Sequence, residues 1–419
     1  MLRLFLSVSA VYAVGVPLSL LVNILLARWM PVEEFGKFSF TIAFATILSL
    51  PVGGGLALLL TREVAKTRQS GEWQRYGRLV TTASLWIVAA SCALAACVLG
   101  IARLTAGESD LATGLALALV PGLAFVSFGE GIAKGFGRPS FGEALRQLIP
   151  PTLLLLGAAS LRFAGRLDSD SALIAQFAGL CAATIVALSY AFRQPPRDKL
   201  RLALVSLDEF RSLSAAFLSF AMITGLGLLI SQFATLTLGF LGNEAEVAYL
   251  KVAERGSQLV ALPLTFVNAI LGPKIVQAHM EGNRSELVRL SRSAARLALA
   301  AALPIAAILL IWGRPIIGLT FGPEFVDASF LPMAVLCLAQ LFFVALGAPA
   351  LFLAMTGHER ENLISRALGF VVLAACVLVF AADYGALGAA IGVAIGLVVI
   401  KLFAAAILFR RLRFFSGPV

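Results

Sequence analysis

Between Ala248 and Leu264 the chain reads AYLKVAERGSQLVALPL, an apolar run that carries Lys251, Glu254 and Arg255 within five positions. On a helix of about 3.6 residues per turn these three and Gln258 fall at i, i+3, i+4 and i+7 and share one face. Leu262 and Thr265 continue that face, while Val252, Ala253, Leu259 and Val260 keep the others apolar. Cations on one face hold anions through charge-assisted hydrogen bonds, and a guanidinium can hold two phosphate oxygens at once. Glu254 is spaced to neutralise either Lys251 or Arg255, leaving one net positive charge for an anion such as a diphosphate or an acidic sugar. The same residues also suit an ion pair that only joins this helix to a neighbour. The two readings differ in what removal of a charge does.

Shorter polar side chains form two matching faces elsewhere. Tyr12, Ser19 and Asn23 of the first apolar run are spaced by seven and four, as are Thr224, Ser231 and Thr235 of the seventh, so each trio lies along one side of a helix. Such faces suit the wall of a hydrated path or ordinary hydrogen bonding between helices. Gln147, Gln176, Gln232 and Gln340 say less. The five cysteines, Cys92, Cys97, Cys181, Cys337 and Cys376, lie in apolar runs without metal-ligand spacing and read as small buried hydrophobes. His279 and His358 fall far apart in polar connections. Gly53, Gly54 and Gly55 lie inside an apolar run without the Lys and Ser/Thr of a phosphate loop, and read as close packing, a local break or a hinge. Neither a metal nor a cofactor is implied.

The elements that must position these residues cross a membrane. Hydrophobic residues make up 60% of the 419 positions and charged residues 13%, with mean hydropathy +0.94, against about 45–50% and about 25% in soluble domains. Apolar runs of about 20 residues recur, the length a helix needs to span hydrocarbon. Twelve are predicted, at 4–27, 37–60, 77–101, 111–128, 142–161, 172–192, 213–241, 246–272, 294–312, 328–355, 363–382 and 385–409. The first is kept as a span rather than a signal peptide, since multispanning sequence follows without a small-residue cleavage pattern. The net charge of +10 comes from Lys and Arg flanking the spans, so it does not require a nucleic-acid partner. Alternate connections hold most of these cations, while those near Gly242 and Asp383 hold none. Positive loops resist translocation, so both termini are expected in the cytoplasm. The outer connections are all short, leaving no external domain to carry catalytic carboxylates, which argues against an enzyme.

The two halves repeat. Setting MPVEEFGKFSFTIAFATILSLP (30–51) against GNEAEVAYLKVAERGSQLVALP (242–263) superposes Glu34 on Glu246 and Pro51 on Pro263 at an offset of 212, which also aligns the two polar trios. GRPSFGEALRQL (137–148) resembles GHERENLISRAL (357–368), pairing Arg146 with Arg366. Three matches in one order predict an amino-terminal six-helix lobe at 1–193, a charged cytoplasmic linker at 194–212 and a second six-helix lobe at 213–419. A duplicated membrane fold with a site between its halves is the architecture of alternating-access transporters.

ARWMPVEEFGKFSFTIAF, AYLKVAERGSQLVALPLTFVNAILGPKI, LAMTGHERENLISRALG and YGALGAAIGVAIG together resemble the polysaccharide-exporter branch of the multidrug/oligosaccharidyl-lipid/polysaccharide exporter superfamily. The resemblance covers nearly the whole chain and rests on patterns of Gly, Pro and apolar residues. It implies two helix bundles around a central cavity and a flippase of the bacterial inner membrane. The implied substrate is an undecaprenyl-pyrophosphate-linked oligosaccharide of O-antigen, capsule or exopolysaccharide synthesis. Membrane lipids, a polysaccharide polymerase and chain-length machinery are the implied partners. With such a substrate arriving from the cytoplasm, Arg146 and Arg366 are candidates to hold the diphosphate, with snorkelling to lipid headgroups the plainer alternative. A cation-coupled multidrug exporter and a peptidoglycan-precursor flippase are the competing functions; the first two spans hold no well-embedded acid of the coupling type, although Glu254 offers one in the other half.

Overall fold

A computed structural model describes residues 2–105, 111–194, 205–414 and 416–417, and among these there is no strand. The first part holds α1 (Leu2–Trp29), α2 (Val32–Leu48), α3 (Leu50–Gly53), α4 (Leu56–Ser70), α5 (Trp73–Thr105), α6 (Leu111–Gly135), α7 (Pro139–Gln147), α8 (Ile149–Phe163) and α9 (Ser169–Arg193). Then come α10 (Leu207–Phe240), α11 (Glu244–Met280), α12 (Arg284–Thr320), α13 (Val326–Ala345), α14 (Pro349–Met355) and α15 (Glu359–Leu412). Nine helices among the described residues are long and apolar enough to cross a membrane, ten when α2 with α3–α4 counts as one bent span. Two more come from α11, whose polar face lowers its hydropathy, and from α15, which is two spans joined at Gly385. The protein is an all-α, multi-pass membrane protein of twelve spans. Leu218, Ile185 and Ile311, all more than 60% exposed on helix surfaces, are the outward apolar faces that a bilayer covers.

The chain divides into two compact units, Met1–Leu228 and Leu229–Val419. The division falls within α10, because its first half packs on the amino-terminal unit: Glu209 pairs with Arg75 at 2.8 Å, and Phe217 meets the Trp86 ring. Of the expected linker, residues 195–204 lie outside the described residues, and 207–212 are already helical. The three glycines act by packing at a break. Helix α2 gives way to α3 and α4 with a bend of 41°. A Cβ on Gly53 would come within 2.8 Å of Ala124 in α6, and one on Gly55 within 2.5 Å of the Phe217 carbonyl in α10.

In the carboxy-terminal unit the long helices are punctuated by Gly-Asn. Gly242 and Gly282 take positive φ (74° and 63°) to end α10 and α11, and the next residues, Asn243 and Asn283, accept the backbone N–H of Glu246 and Glu286 to start α11 and α12. In α15, Gly369, Gly388, Gly392 and Gly396 face Ile400, Phe380, Val377 and Leu373, pairs arranged symmetrically about Gly385. That pattern is an antiparallel helical hairpin in which missing side chains let the two arms approach. Gly385 itself (φ 54°, ψ −132°) makes the reversal.

The repeat has a structural counterpart in two glutamates that do one job. In the amino-terminal unit Glu34 accepts the Ser169 N–H at 2.8 Å at the start of α9; in the carboxy-terminal unit Glu246 accepts the Ala386 N–H at 2.5 Å at the start of the second arm of α15. Each carboxylate satisfies a donor that a helix start leaves open. Two expectations need correction. Cys92 and Cys97 are exposed on the flank of α5, where a bilayer rather than protein surrounds a small apolar side chain, and His279 lies in the last turn of α11 rather than in a connection.

Candidate functional site

Helix α11 packs its apolar faces on α12 and α13 so closely that a Cβ on Gly256 would meet the Met333 sulfur at 2.6 Å. This orients the polar stripe away from that contact. Lys251 Nζ lies 2.9 Å from Glu254 Oε2, with side chains only 12% and 15% exposed, and also donates to Gln232 Oε1 of α10 at 3.4 Å. Arg255 is half-buried and donates to Gln258 Oε1 at 3.4 Å, with no carboxylate in ion-pair range among the described residues. Lys251 is therefore the cation that Glu254 neutralises, and Arg255 keeps its charge. Gln258 is exposed beside it.

In the amino-terminal unit Arg146 belongs to a compact charged cluster. Lys134 Nζ of α6 bridges Glu130 at 2.5 Å and Glu143 at 2.8 Å, and Arg146 of α7 reaches the same two carboxylates at 3.5 and 3.2 Å. Gln147 donates to Glu143 at 3.0 Å, and Tyr12 of α1 bonds Glu143 as well. Gly15 lets α1 come this close, since a Cβ there would meet Gln147 at 2.9 Å. The cluster thus joins α1, α6 and α7 and brings together Tyr12 and Arg146, which the sequence placed on separate spans. Glu130 and Glu143 are 7% and 5% exposed, and the sequence reading passed over both. Their signal was present in the Glu130–Lys134 and Glu143–Arg146 spacings of four and three, which are ion-pair spacings on a helix.

The remaining candidates separate. Arg366 has no ion-pair partner among the described residues and stands close enough to the buried Lys401 for the two cations to repel. The two arginines matched by the repeat therefore sit in different electrostatic settings. Asn23 donates to the Ser19 carbonyl at 2.7 Å within α1. On α10, Thr224 is half-buried and Ser231 exposed, but Thr235 is fully enclosed, with a hydroxyl that has no partner among the described residues. No group of three or more His, Cys, Asp or Glu is placed to hold a metal among the described residues. Outside the membrane, Asp168 accepts the Ser171 N–H at 2.8 Å as the cap of α9, and that backbone hydrogen bond holds its carboxyl below the usual carboxylate range.

Two helical units, each with a start-of-helix glutamate in the corresponding place and each with charges along an otherwise apolar helix, define a duplicated all-helical membrane fold. Residues 1–279 match the family described as polysaccharide biosynthesis protein. The chain belongs to that family. Comparison with curated proteins finds no match. Among solved structures, an inward-facing multidrug resistance MATE family transporter of the MOP superfamily is 16% identical, with TM-score 0.77 over 96% of this chain and 95% of that one. The lipid II flippase MurJ in an inward closed conformation is 15% identical, with TM-score 0.76 over 97% and 87%. A MOP superfamily transporter from Pyrococcus furiosus, described as having a binding pocket of reverse polarity, is 16% identical, with TM-score 0.66 over 98% and 96%.

Proposed function

We propose that this chain is a flippase of the bacterial inner membrane that carries an undecaprenyl-pyrophosphate-linked oligosaccharide from the cytoplasmic to the periplasmic leaflet by alternating access. Both termini are cytoplasmic in this reading, and six-helix lobes at 1–193 and 213–419 form the two moving bodies. The observation that carries it is Arg255, a half-buried guanidinium on an apolar helix with no carboxylate in ion-pair range among the described residues, in a chain whose family is one of polysaccharide biosynthesis. A charge kept on a membrane helix costs about 2.5–3.5 kcal/mol at mid-membrane, so its retention asks for an anionic ligand. A diphosphate supplies paired oxygens for the guanidinium, while the apolar tail stays in lipid. In the other unit Glu130 and Glu143 hold Lys134 and Arg146 in a neutral cluster, from which a diphosphate with its higher charge can draw Arg146, the more exposed member at 52%. A polymerase and chain-length machinery would take up the delivered unit.

Deleting the gene tests this reading. Finished surface polysaccharide should disappear while the lipid-linked oligosaccharide persists in the membrane, with drug susceptibility unchanged. Loss of the lipid-linked intermediate itself would point to an enzyme. Normal polysaccharide with heightened drug susceptibility would favour the cation-coupled multidrug exporter, a reading supported by the buried carboxylates Glu130 and Glu143 in the amino-terminal half.

A further inference from the structure

Lys401, in the second arm of α15, is 3% exposed and is used by none of the chemistry above. At about 1.5 Å per residue it lies roughly 24 Å along the arm from Gly385, within the thickness of a bilayer core. No carboxylate pairs with it among the described residues. Its ammonium instead donates to the Gly347 carbonyl at 2.5 Å and sits 3.8 Å from the centre of the Phe343 ring.

The partner carbonyl is at a break in the tenth span. Helix α13 stops at Ala345, Gly347 takes φ 68°, and α14 starts at Pro349. Pro349 has no N–H to offer Ala345 O, and the Leu351 N–H turns to Ala348 O, so the carbonyls just past α13 receive no helical donors. Two of them are taken by side chains from elsewhere in the unit: Ser416 donates to Leu346 O at 2.7 Å and Lys401 to Gly347 O. The end of α13 is also the negative pole of its dipole. Carbonyls of an unwound membrane helix, a helix carboxy-terminus and an aromatic face are together the surroundings that hold a cation inside a membrane transporter. A neutral donor would satisfy Gly347 O without the burden of a buried charge.

We propose that the break in the tenth span is a monovalent-cation site and that the Lys401 ammonium is its resident cation. The carboxy-terminal unit thereby carries on its own chain the charge that a free Na⁺ would otherwise bring, whichever substrate the protein moves. Arg366, the neighbouring cation, opposes any free ion, so a vacated site binds Na⁺ weakly and responds only at high salt.

The test is thermal unfolding of the detergent-purified full chain in about 300 mM NaCl against the same concentration of choline chloride. The original chain should melt at the same temperature in both. Lys401→Ala, which empties the site, should melt higher in NaCl by about 1 °C or more, as mass action on a newly opened weak site requires. Lys401→Met, which refills the volume without charge, should show no such difference. If Lys401→Ala is not recovered folded, Lys401→Ser, which adds a hydroxyl ligand, is measured in its place. Equal melting of the Ala or Ser variant in both salts overturns the proposal. So does an equal Na⁺ response from Lys401→Met, or failure of both small variants to yield monodisperse protein even in NaCl.

Discussion

Replacing Lys251 and Arg255 by Gln, singly and with Glu254→Gln, separates an anion site from a structural ion pair. Removing Lys251 strands the Glu254 carboxylate, and breaking a fully buried pair costs about 3–5 kcal/mol. Here the side chains are 12% and 15% exposed, and Gln232 stays close to the lysine position. We therefore expect a cost of about 1–2 kcal/mol, or a melting temperature lowered by about 1–3 °C. Arg255→Gln strands no carboxylate and should cost under about 1 kcal/mol, while Lys251→Gln with Glu254→Gln should recover most of the single-variant loss. Export behaves differently. A hydrogen bond from a charged group contributes about 1.5–3 kcal/mol, so losing Arg255 should lower transport at limiting substrate by about 10–100-fold without lowering the amount of folded protein. Melting temperature and monodispersity in detergent report the first effect, and finished surface polysaccharide reports the second. The reasoning is refuted if Arg255→Gln exports normally, or if it destabilises as much as Lys251→Gln.

Gly385→Ala should destabilise the protein by at least about 1–3 kcal/mol, because its φ of 54° and ψ of −132° suit glycine alone and a Cβ would press on the Glu246 carboxylate; an unchanged melting temperature would contradict the hairpin geometry. Asp168→Ala should lower the melting temperature at pH 7. Since the folded carboxyl titrates below its unfolded value of 3.8, the difference is full above that value and fades as pH falls through the lower folded one. A difference that instead grows on acidification would reverse the assigned sign. Reporter tags in the linker at 194–210 and after Phe409 should read as cytoplasmic and those near Asn243 and Asp383 as periplasmic; a periplasmic linker would invert the orientation on which substrate loading from the cytoplasm depends.

Span number, duplication and the α11 stripe were legible in the sequence because each is a local or periodic property. Hydrocarbon thickness fixes the length of an apolar run, and helical periodicity places Lys251, Glu254, Arg255 and Gln258 on one face without reference to anything else in the chain. The pairing of Glu34 with Glu246 was likewise readable as an offset, although the offset did not reveal that each accepts a helix-start N–H. Tertiary structure alone decided how charges divide among partners. Glu254 had two cations within helical reach and took Lys251; Glu143 gathered Lys134, Arg146, Gln147 and Tyr12 from three helices; Lys401 found a carbonyl exposed by a proline break more than fifty residues away. A sequence records which groups can pair, but inside a membrane the choice falls to whichever helices approach within hydrogen-bond distance. That approach is set by glycines such as Gly15 and Gly256 facing side chains on other helices.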